Sequence, residues 1–190
     1  MAEPRHHPRP RLLLVSGSLR TGSTNEATLR TVQDLAAPIA DADLYDGVGR
    51  LPHFNPDDDH EPLPDTVVEL RAAIAASDAL LICTPEYAGA LPGALKNLLD
   101  WTVGGIETEG KPAAWINVST GGTAAAGTHA SLRTVLTYTG CEVADDACAH
   151  VPIPRAAIVD GAVADVASLA AISRAVGALV AHVERARTAQ

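Results

Sequence analysis

The sequence is poor in positive charge, with 14 Lys and Arg against 23 Asp and Glu and a net charge of −9 over 190 residues. A nucleic-acid surface or an anionic membrane surface needs a dense basic patch, which this balance does not supply. No apolar run approaches the roughly 18 consecutive residues of a membrane span. We therefore expect neither nucleic acid nor a membrane among the partners.

Cysteine is scarce and unpatterned. The three cysteines, Cys83, Cys141 and Cys148, form no C-x-x-C pair, and their odd number does not build a disulfide framework. This usage favours a reducing, cytoplasmic location. Residues 3–11 are rich in Pro, His and Arg and lack the apolar core of a secretory signal. We predict a disordered lead-in over residues 1–10 and a single domain over residues 11–190.

Several familiar catalytic motifs are missing. There is no G-x-x-x-x-G-K-[ST] phosphate loop and no G-x-G-x-x-G fingerprint, so a nucleoside triphosphatase and a pyrophosphate bound over bare glycines are not indicated. No G-x-S-x-G elbow is present, which argues against a hydrolase triad. The histidines show no metal-ligand spacing, so we predict no metal site.

What is present is an alternation of apolar strand-like runs with helix-like segments. The predicted strands are 11–16, 42–46, 79–84, 113–119, 141–144 and, less firmly patterned, 149–152. The predicted helices are 24–37, 65–76, 92–102, 124–138 and 164–187. This alternation predicts an α/β fold, specifically a flavodoxin-like, doubly wound, five-stranded parallel sheet with strand order 2-1-3-4-5 and helices on both faces.

A polar loop, Gly17–Asn25, follows the first predicted strand and leads into a helix. Its donors are the hydroxyls of Ser18 and Ser23, the Arg20 guanidinium and the Asn25 amide. Because a helix start also offers unpaired N–H groups, this set suits a terminal phosphate monoester such as that of FMN. The alternative is an ordinary helix N-cap at Ser23 or Thr24 beside a glycine turn.

Two further loops follow neighbouring strands of the predicted sheet and should border the same crevice. Pro85, Glu86, Tyr87 and Gly89 follow the third strand, and an aromatic ring beside a glycine suits a flat heteroaromatic ligand. Ser119, Gly121 and Gly122 follow the fourth strand and could offer backbone N–H groups to a ligand edge. Simple turns with no ligand role remain the alternative for both.

The connection over residues 47–64 contains four prolines and the acidic run Asp57, Asp58 and Asp59. Loops of this length are often functional or mobile. We interpret this one as a solvated connection.

These motifs together resemble the NADPH-dependent FMN reductase family, which includes quinone, chromate and azo-dye reductases. The resemblance runs from about residue 11 to 160 and rests on three segments: Gly17–Asn25, Pro85–Tyr87, and Pro92–Asn97 with Asp100 and Trp101. It implies bound FMN, NADPH or NADH as electron donor, and a homodimer or homotetramer. Carried over to this sequence, it assigns the phosphate to Ser18, Arg20, Ser23 and Asn25. It assigns the isoalloxazine ring to the second loop and its far edge to residues 119–122.

The sequence departs from the family pattern in the same loops. Ala88 stands where Asn or another polar residue is common, Ala90 where Ser often stands, and 124–126 is an alanine run where a second glycine pair is common. These changes thin the polar contacts near the ring and leave the acceptor open.

We interpret the chain as an FMN-dependent NAD(P)H oxidoreductase that passes electrons to a small-molecule acceptor such as free flavin or a quinone. Because the flavin carries the redox chemistry, we assign no catalytic residue of the protein. Because the sequence contains no second dinucleotide fingerprint, we expect donor and acceptor to use one site in turn, by a ping-pong mechanism. A one-electron flavodoxin-type carrier and a non-catalytic flavin-binding protein remain the alternatives. Apolar Leu91, Leu95, Leu98 and Trp101 beside the site could contribute to a subunit contact.

Overall fold

The structure is a computed structural model that describes residues 9–188. Its strands are β1 (Arg11–Ser16), β2 (Asp41–Tyr45), β3 (Ala79–Cys83), β4 (Pro112–Asn117), β5 (Glu142–Val143), β6 (Ala149–His150), β7 (Ile158–Val159) and β8 (Ala162–Val163). Its helices are α1 (Thr24–Ala36), α2 (Asp65–Ala75), α3 (Gly93–Asp100), α4 (Ala126–Tyr138) and α5 (Val166–Thr188). Each predicted strand and helix has a counterpart close to its predicted bounds, and the β7–β8 hairpin is an addition.

The sheet is parallel and has the order β2-β1-β3-β4-β5. The short sixth strand β6 also pairs with β4, at Ile116 and Asn117, whereas β5 pairs with Pro112 and Ala113. The predicted flavodoxin-like fold is therefore confirmed. β1 and β3 are neighbours, and Ser16 lies opposite Cys83 at the carboxyl end of both strands. The loops that follow β1 and β3 consequently leave from the same edge of the sheet.

Two hydrophobic cores cover the two faces of the sheet, because successive side chains of a strand such as β1 point to opposite faces. Leu12 and Leu14 belong to the core shared with α1 and α5. Leu13 and Val15 belong to the core shared with α2 and α3. Because both faces are buried, the central strands are apolar on both sides, which is typical of parallel sheets.

The C-terminal helix α5 is the one helix among residues 9–188 that is long and apolar enough to cross a membrane. That criterion uses length and composition alone. In the structure, Ile172, Val176, Leu179 and Val183 of α5 are buried in the core. A core helix that covers a sheet passes the same test.

The predicted lead-in lies mostly outside the described residues, which begin at Arg9. Arg9 donates hydrogen bonds to the carbonyl oxygens of Ala37 and Ala40, and Asp41 donates its N–H to the carbonyl of Pro10. These contacts attach the start of the described chain to the end of α1 and to β2.

Ion-pair and hydrogen-bond contacts hold the connection over residues 47–64 against α2 and α3, so it is not simply solvated. Asp59 and Arg71 form an ion pair of 2.7 Å in which both side chains are nearly nine-tenths buried. Asn97 accepts from the N–H of Phe54 and donates to the carbonyl of Pro52, to which Trp101 also donates. The solvated interpretation is therefore wrong for Asp59, whose position in an acidic run concealed its partner on α2.

The apolar residues expected at a subunit contact belong to the core instead. Leu91, Leu95, Leu98 and Trp101 are all buried, and Trp101 is 0% exposed. They fix α3 and the preceding loop against the sheet. Any subunit contact must use other side chains.

Candidate cofactor site

A cavity of about 480 Å³ lies at the carboxyl edge of β1, β3 and β4. The three predicted loops all contribute to it. Its lining residues are Arg20, Thr24, Asn25, Thr84, Pro85, Glu86, Val118, Ser119, Thr120, Gly121, Thr123, Ala125, Ile153 and Arg155. The predicted convergence of the loops on one crevice is therefore observed.

The start of α1 is fixed by two side-chain hydrogen bonds. The Ser23 hydroxyl accepts from the N–H of Glu26 at 3.1 Å, and the Glu26 carboxylate accepts from the N–H of Gly22 at 3.0 Å. Ser23 is 2% exposed and lines no part of the cavity, so the N-cap interpretation is correct for this residue. Within the described chain, the N–H groups of Thr24 and Asn25 have no acceptor. Because both residues line the cavity, this helix start can receive an anion there.

The Asn25 side chain is oriented by a hydrogen bond from Cys83, at the end of β3. The Cys83 thiol donates to Oδ1 of Asn25 at 3.3 Å, and both residues are buried. Burial raises the pKa of Cys83, which keeps it a thiol and a donor. With Oδ1 occupied, the Asn25 amide has its Nδ2 hydrogens left to donate to a ligand. No pattern in the sequence indicates this contact.

Gly17 allows the first loop to lie against the second. Its N–H donates to the carbonyl of Cys83 at 2.9 Å, and a Cβ at this position would lie 2.1 Å from Oγ1 of Thr84. No side chain fits in that space. Glycine is therefore required for the loops after β1 and β3 to share one cavity.

Arg20 is exposed and lies between this cavity and a neighbouring one, lining both. Its side chain forms no ion pair with the described residues, whereas Arg30 is paired with Glu26 at 2.8 Å. An unpaired guanidinium beside unpaired N–H groups makes this end of the cavity attractive to a phosphate. Ser18 lines the neighbouring cavity rather than this one.

The second loop forms a tight hairpin. Tyr87 and Ala90 exchange both backbone hydrogen bonds at 3.1 Å, which places Ala88 and Gly89 at the tip with φ values of 52° and 75°. The Tyr87 ring is 56% exposed and, like Gly89, lines no part of the cavity. Pro85 and Glu86 do line it.

Glu86 joins the second loop to the start of α4. Its carboxylate accepts from the N–H of Thr128 at 2.9 Å, where the helix dipole favours negative charge. A Cβ at position 127 would lie 2.3 Å from the carbonyl oxygen of Gly89. Gly127 therefore allows the second loop to lie against the start of α4. The two loops that border the cavity on this side are thus held together by Glu86.

The third loop is held by a residue that the sequence analysis did not single out. Asn117, at the end of β4, donates to the carbonyl of Ala124 at 2.6 Å and accepts from the N–H of Ser119 at 2.9 Å. Ala124 and Ala125 have φ values of 48° and 50°, in the left-handed region that favours glycine. The backbone geometry explains why glycines are common at these positions in the family that the sequence resembles.

His129 lies under this loop. It is 8% exposed, its Nδ1 lies 2.8 Å from the carbonyl of Ala125, and its Nε2 has no partner within the described residues. Burial lowers the pKa of His129, partly offset by the Ala125 carbonyl and by Glu86. Neutral His129 donates through Nδ1, which leaves Nε2 as a bare acceptor.

The predicted site residues divide into two groups. Six line the cavity: Arg20, Asn25, Pro85, Glu86, Ser119 and Gly121. Five do not: Ser18, Ser23, Tyr87, Gly89 and Gly122. The sequence analysis missed Arg155, which lines the cavity from the segment between β6 and β7 and carried no recognisable motif.

Within residues 9–188, no group of three or more His, Cys, Asp or Glu side chains is arranged to hold a metal ion. The His53, Asp57–Asp59 and His60 region does not form such a group. Asp59 is engaged with Arg71 instead.

Comparisons with known proteins agree with this architecture. Residues 10–153 match the NADPH-dependent FMN reductase family. An NAD(P)H-dependent FMN reductase of Pseudomonas aeruginosa is 40% identical over 132 residues, which is 67% of this chain and 70% of the relative. A 2-hydroxy-1,4-benzoquinone reductase of a Burkholderia species is 39% identical over 133 residues, with 67% and 70% covered.

Among solved structures, the chain is similar to FerB, a flavoenzyme NAD(P)H:(acceptor) oxidoreductase of Paracoccus denitrificans. The TM-score is 0.78 at 31% identity, and the match covers 93% of this chain and 98% of FerB. A flavodoxin, WrbA-like protein of Agrobacterium tumefaciens shares the fold, with a TM-score of 0.61 at 17% identity over 94% and 98% of the two chains. The family match covers most of the chain, and the resemblance noted in the sequence is confirmed. The chain belongs to the NADPH-dependent FMN reductase family of flavodoxin-like oxidoreductases.

Proposed function

We propose that this protein is an FMN-dependent NAD(P)H oxidoreductase that reduces a small acceptor such as a quinone or free flavin. The observation that carries the proposal is the set of unused donors at one end of the cavity. Arg20, the amide of Asn25 and the N–H groups of Thr24 and Asn25 are all available to bind an anion there. A phosphate monoester carries nearly two charges and three acceptor oxygens, which matches this set.

The rest of the cavity suits the remainder of FMN. Thr84, Pro85 and Glu86 lie beyond the phosphate end, and residues 118–121 face them. Bound FMN would supply the redox chemistry between the nicotinamide and the acceptor. The protein binds and orients it: Glu86 and Asn117 hold the two flanking loops in place, and Gly17 lets the phosphate loop approach the second.

Two assigned residues act on the loop rather than in the cavity. Ser23 caps α1, and its hydroxyl thereby fixes the position of Thr24 and Asn25. Gly89 occupies a left-handed turn whose carbonyl contacts the start of α4. For Ser18, Tyr87 and Gly122 we retain the assignment as a proposal. These three residues lie on the loops that follow β1, β3 and β4, and the Tyr87 ring is exposed to solvent.

We propose that the enzyme works by a ping-pong mechanism. The small, exposed residues Ala88, Gly89 and Ala90 at the hairpin tip support it, because they would leave room for one planar guest beside the flavin at a time. We expect parallel double-reciprocal lines and competition between excess acceptor and NAD(P)H. Intersecting lines with a stable complex of donor and acceptor would contradict this mechanism.

The three cysteines are free, which supports a reducing, cytoplasmic setting.

The test of the cofactor assignment compares FMN with riboflavin, which lacks the phosphate. Arg20→Ala should weaken FMN binding by about 1.5–3 kcal/mol, the value of a charge-assisted hydrogen bond, and leave riboflavin binding unchanged. Quenching of flavin fluorescence gives both dissociation constants. Arg174→Ala removes the same charge from the exposed side of α5 and serves as the control.

Two results would count against the assignment. Equal FMN affinity in the Arg20→Ala variant and the parent would remove Arg20 from the phosphate site. Equal affinity of the parent for FMN and riboflavin would remove the phosphate site altogether. The carrier alternative predicts FMN binding without direct reduction by NAD(P)H.

A further inference from the structure

A second cavity lies beside the cofactor site. It measures about 380 Å³ and lies between the carboxyl ends of β1 and β2. The loop after β1 forms one wall, and the turn Val48–Arg50 after β2 forms the other. Arg20 lines both cavities, so the two are contiguous at that side chain. The proposed function places Ser18 and Arg20 at its border and assigns no ligand to the rest of this space.

The charges around the second cavity are mostly compensated. Arg30 is paired with Glu26 at 2.8 Å, and Asp46 is paired with Arg50 at 3.2 Å. Arg20 is the lining cation that forms no ion pair with the described residues. The walls include Leu19, Leu44 and Val48. A cavity of this kind suits an apolar, flat group joined to a phosphate better than a multiply charged anion.

Its place in the sheet relates it to the cofactor site. The loops proposed to hold the flavin ring follow β3 and β4, and the strand order β2-β1-β3-β4 separates them from the second cavity. At roughly 4.8 Å per strand spacing, the distance across the edge is about 10–14 Å. In dinucleotide-binding sheets the adenosine lies beside the strand next to β1, with an acidic residue at the ribose. Asp46 follows β2 at that position.

We propose that the second cavity binds the adenosine end of the NAD(P)H donor. This inference rests on the proposed function, because it assigns the far end of the same donor. Leu19 and Val48 contact the adenine, and Asp46 faces the ribose. Arg20, which lies between the two cavities, faces the diphosphate on one side and the FMN phosphate on the other. The nicotinamide then reaches the flavin across the carboxyl edge of β1 and β3. An acceptor without adenosine uses the flavin end alone, which is compatible with the ping-pong mechanism.

Gly49→Leu is the variant that fills the cavity. A Cβ on Gly49 would lie 3.4 Å from Cδ2 of Leu19, an ordinary contact, so the substitution extends into the cavity without displacing backbone. Gly177→Leu on α5, where a Cβ meets nothing within 4 Å, is the matched control. Leu19→Ala removes one wall instead of filling the space. It is a second route to the same effect should Gly49→Leu fold poorly.

The experiment uses the FMN-loaded protein and three probes. Calorimetry measures the binding of 5′-AMP, and kinetics compare NADH, whose ribose keeps the free 2′-hydroxyl that Asp46 would accept from, with reduced nicotinamide mononucleotide, which lacks the adenylate. We expect Gly49→Leu and Leu19→Ala to weaken 5′-AMP binding and raise KM for NADH about tenfold, the scale of a lost apolar contact. KM for the mononucleotide and the FMN dissociation constant should not change.

The outcomes separate this inference from the proposed function. If both variants bind 5′-AMP as the parent does, the cavity is not the adenosine site. A parent protein that uses NADH and the mononucleotide with equal kcat/KM also overturns the inference, while hydride transfer itself stands. Loss of FMN binding in both variants would assign the cavity to FMN instead. A parent that oxidises neither donor contradicts the proposed function itself.

Discussion

At the scale of single residues, backbone strain concentrates around the candidate site. Ala88, Ala124 and Ala125 have positive φ, and all three lie in loops that border the cavity. The left-handed conformation costs an L-residue about 1–2 kcal/mol relative to glycine. These alanines also coincide with the positions where the sequence departs from the family pattern.

Ala88→Gly should therefore stabilise the protein by about 0.5–1 kcal/mol, because it relieves the left-handed strain at an exposed tip. Ala90→Gly is the matched control: it lies two residues on, is also exposed, and has no positive φ. We expect that control to be neutral or slightly destabilising. Urea unfolding of both variants measures the difference, and an equal effect of the two substitutions would show that strain at Ala88 is absent.

His129 should make stability fall with acid. Its pKa is lowered by burial, so the folded protein binds fewer protons than the unfolded chain once the pH drops below the unfolded value of about 6.5. Stability contributed by neutral His129 is present above that pH and is lost as the pH falls further. Protonation would also place an N–H with no acceptor at the buried Nε2.

The check is the melting temperature as a function of pH. Parent and His129→Gln should diverge between pH 7 and 5, with the parent losing more stability. Parallel curves over that range would mean that His129 does not titrate differently on folding.

At the scale of elements, the long connection after β2 is stabilised by side chains from α2 and α3. Arg71 donates both to Asp59 and to the carbonyl of Trp101, and Asn97 bonds the backbone at both Pro52 and Phe54. Asn97 and Trp101 belong to the third segment of the family resemblance. Their contacts show that this segment holds the loop after β2 in place.

Removing the acidic partner should be costly. Asp59→Ala leaves the buried Arg71 guanidinium without its carboxylate, and breaking a buried pair in this way costs about 3 kcal/mol. Asp58→Ala, one residue earlier in the same acidic run but exposed, should change stability by less than about 0.5 kcal/mol. Denaturant unfolding compares them, and equal effects would show that the Asp59–Arg71 pair contributes nothing specific.

The sequence predicted the elements well because their signals are local. The apolar runs of β1, β3 and β4 and the three- to four-residue steps of α5 are visible without any tertiary information. The site was predicted only in part. Arg20, Asn25 and Glu86 lie on loops with strong motifs, whereas Arg155 and Asn117 reach the site from segments without one. The contact of Cys83 with Asn25 joins residues 58 positions apart, which no local pattern reveals.

At the scale of the whole molecule, we expect self-association. Leu91, Leu95, Leu98 and Trp101 are buried and cannot form the contact. Large apolar side chains remain exposed elsewhere, including Tyr87, Val103, Ile106 and Tyr138, the last 88% exposed. Exposed apolar groups of this size favour a protein contact when they cluster. Light scattering at micromolar concentration should give at least a homodimer, and a monomer of 19.6 kDa would refute the expectation.

The most direct test of the central claim is anaerobic mixing of the FMN-loaded protein with NADPH while the absorbance of oxidised flavin is followed. The account predicts that the visible band bleaches directly, without any other protein, and returns when a quinone is added. Arg174→Ala should behave as the parent does. A protein that binds FMN but keeps its oxidised spectrum with both NADPH and NADH would contradict the account and favour the carrier or the non-catalytic flavin-binding protein.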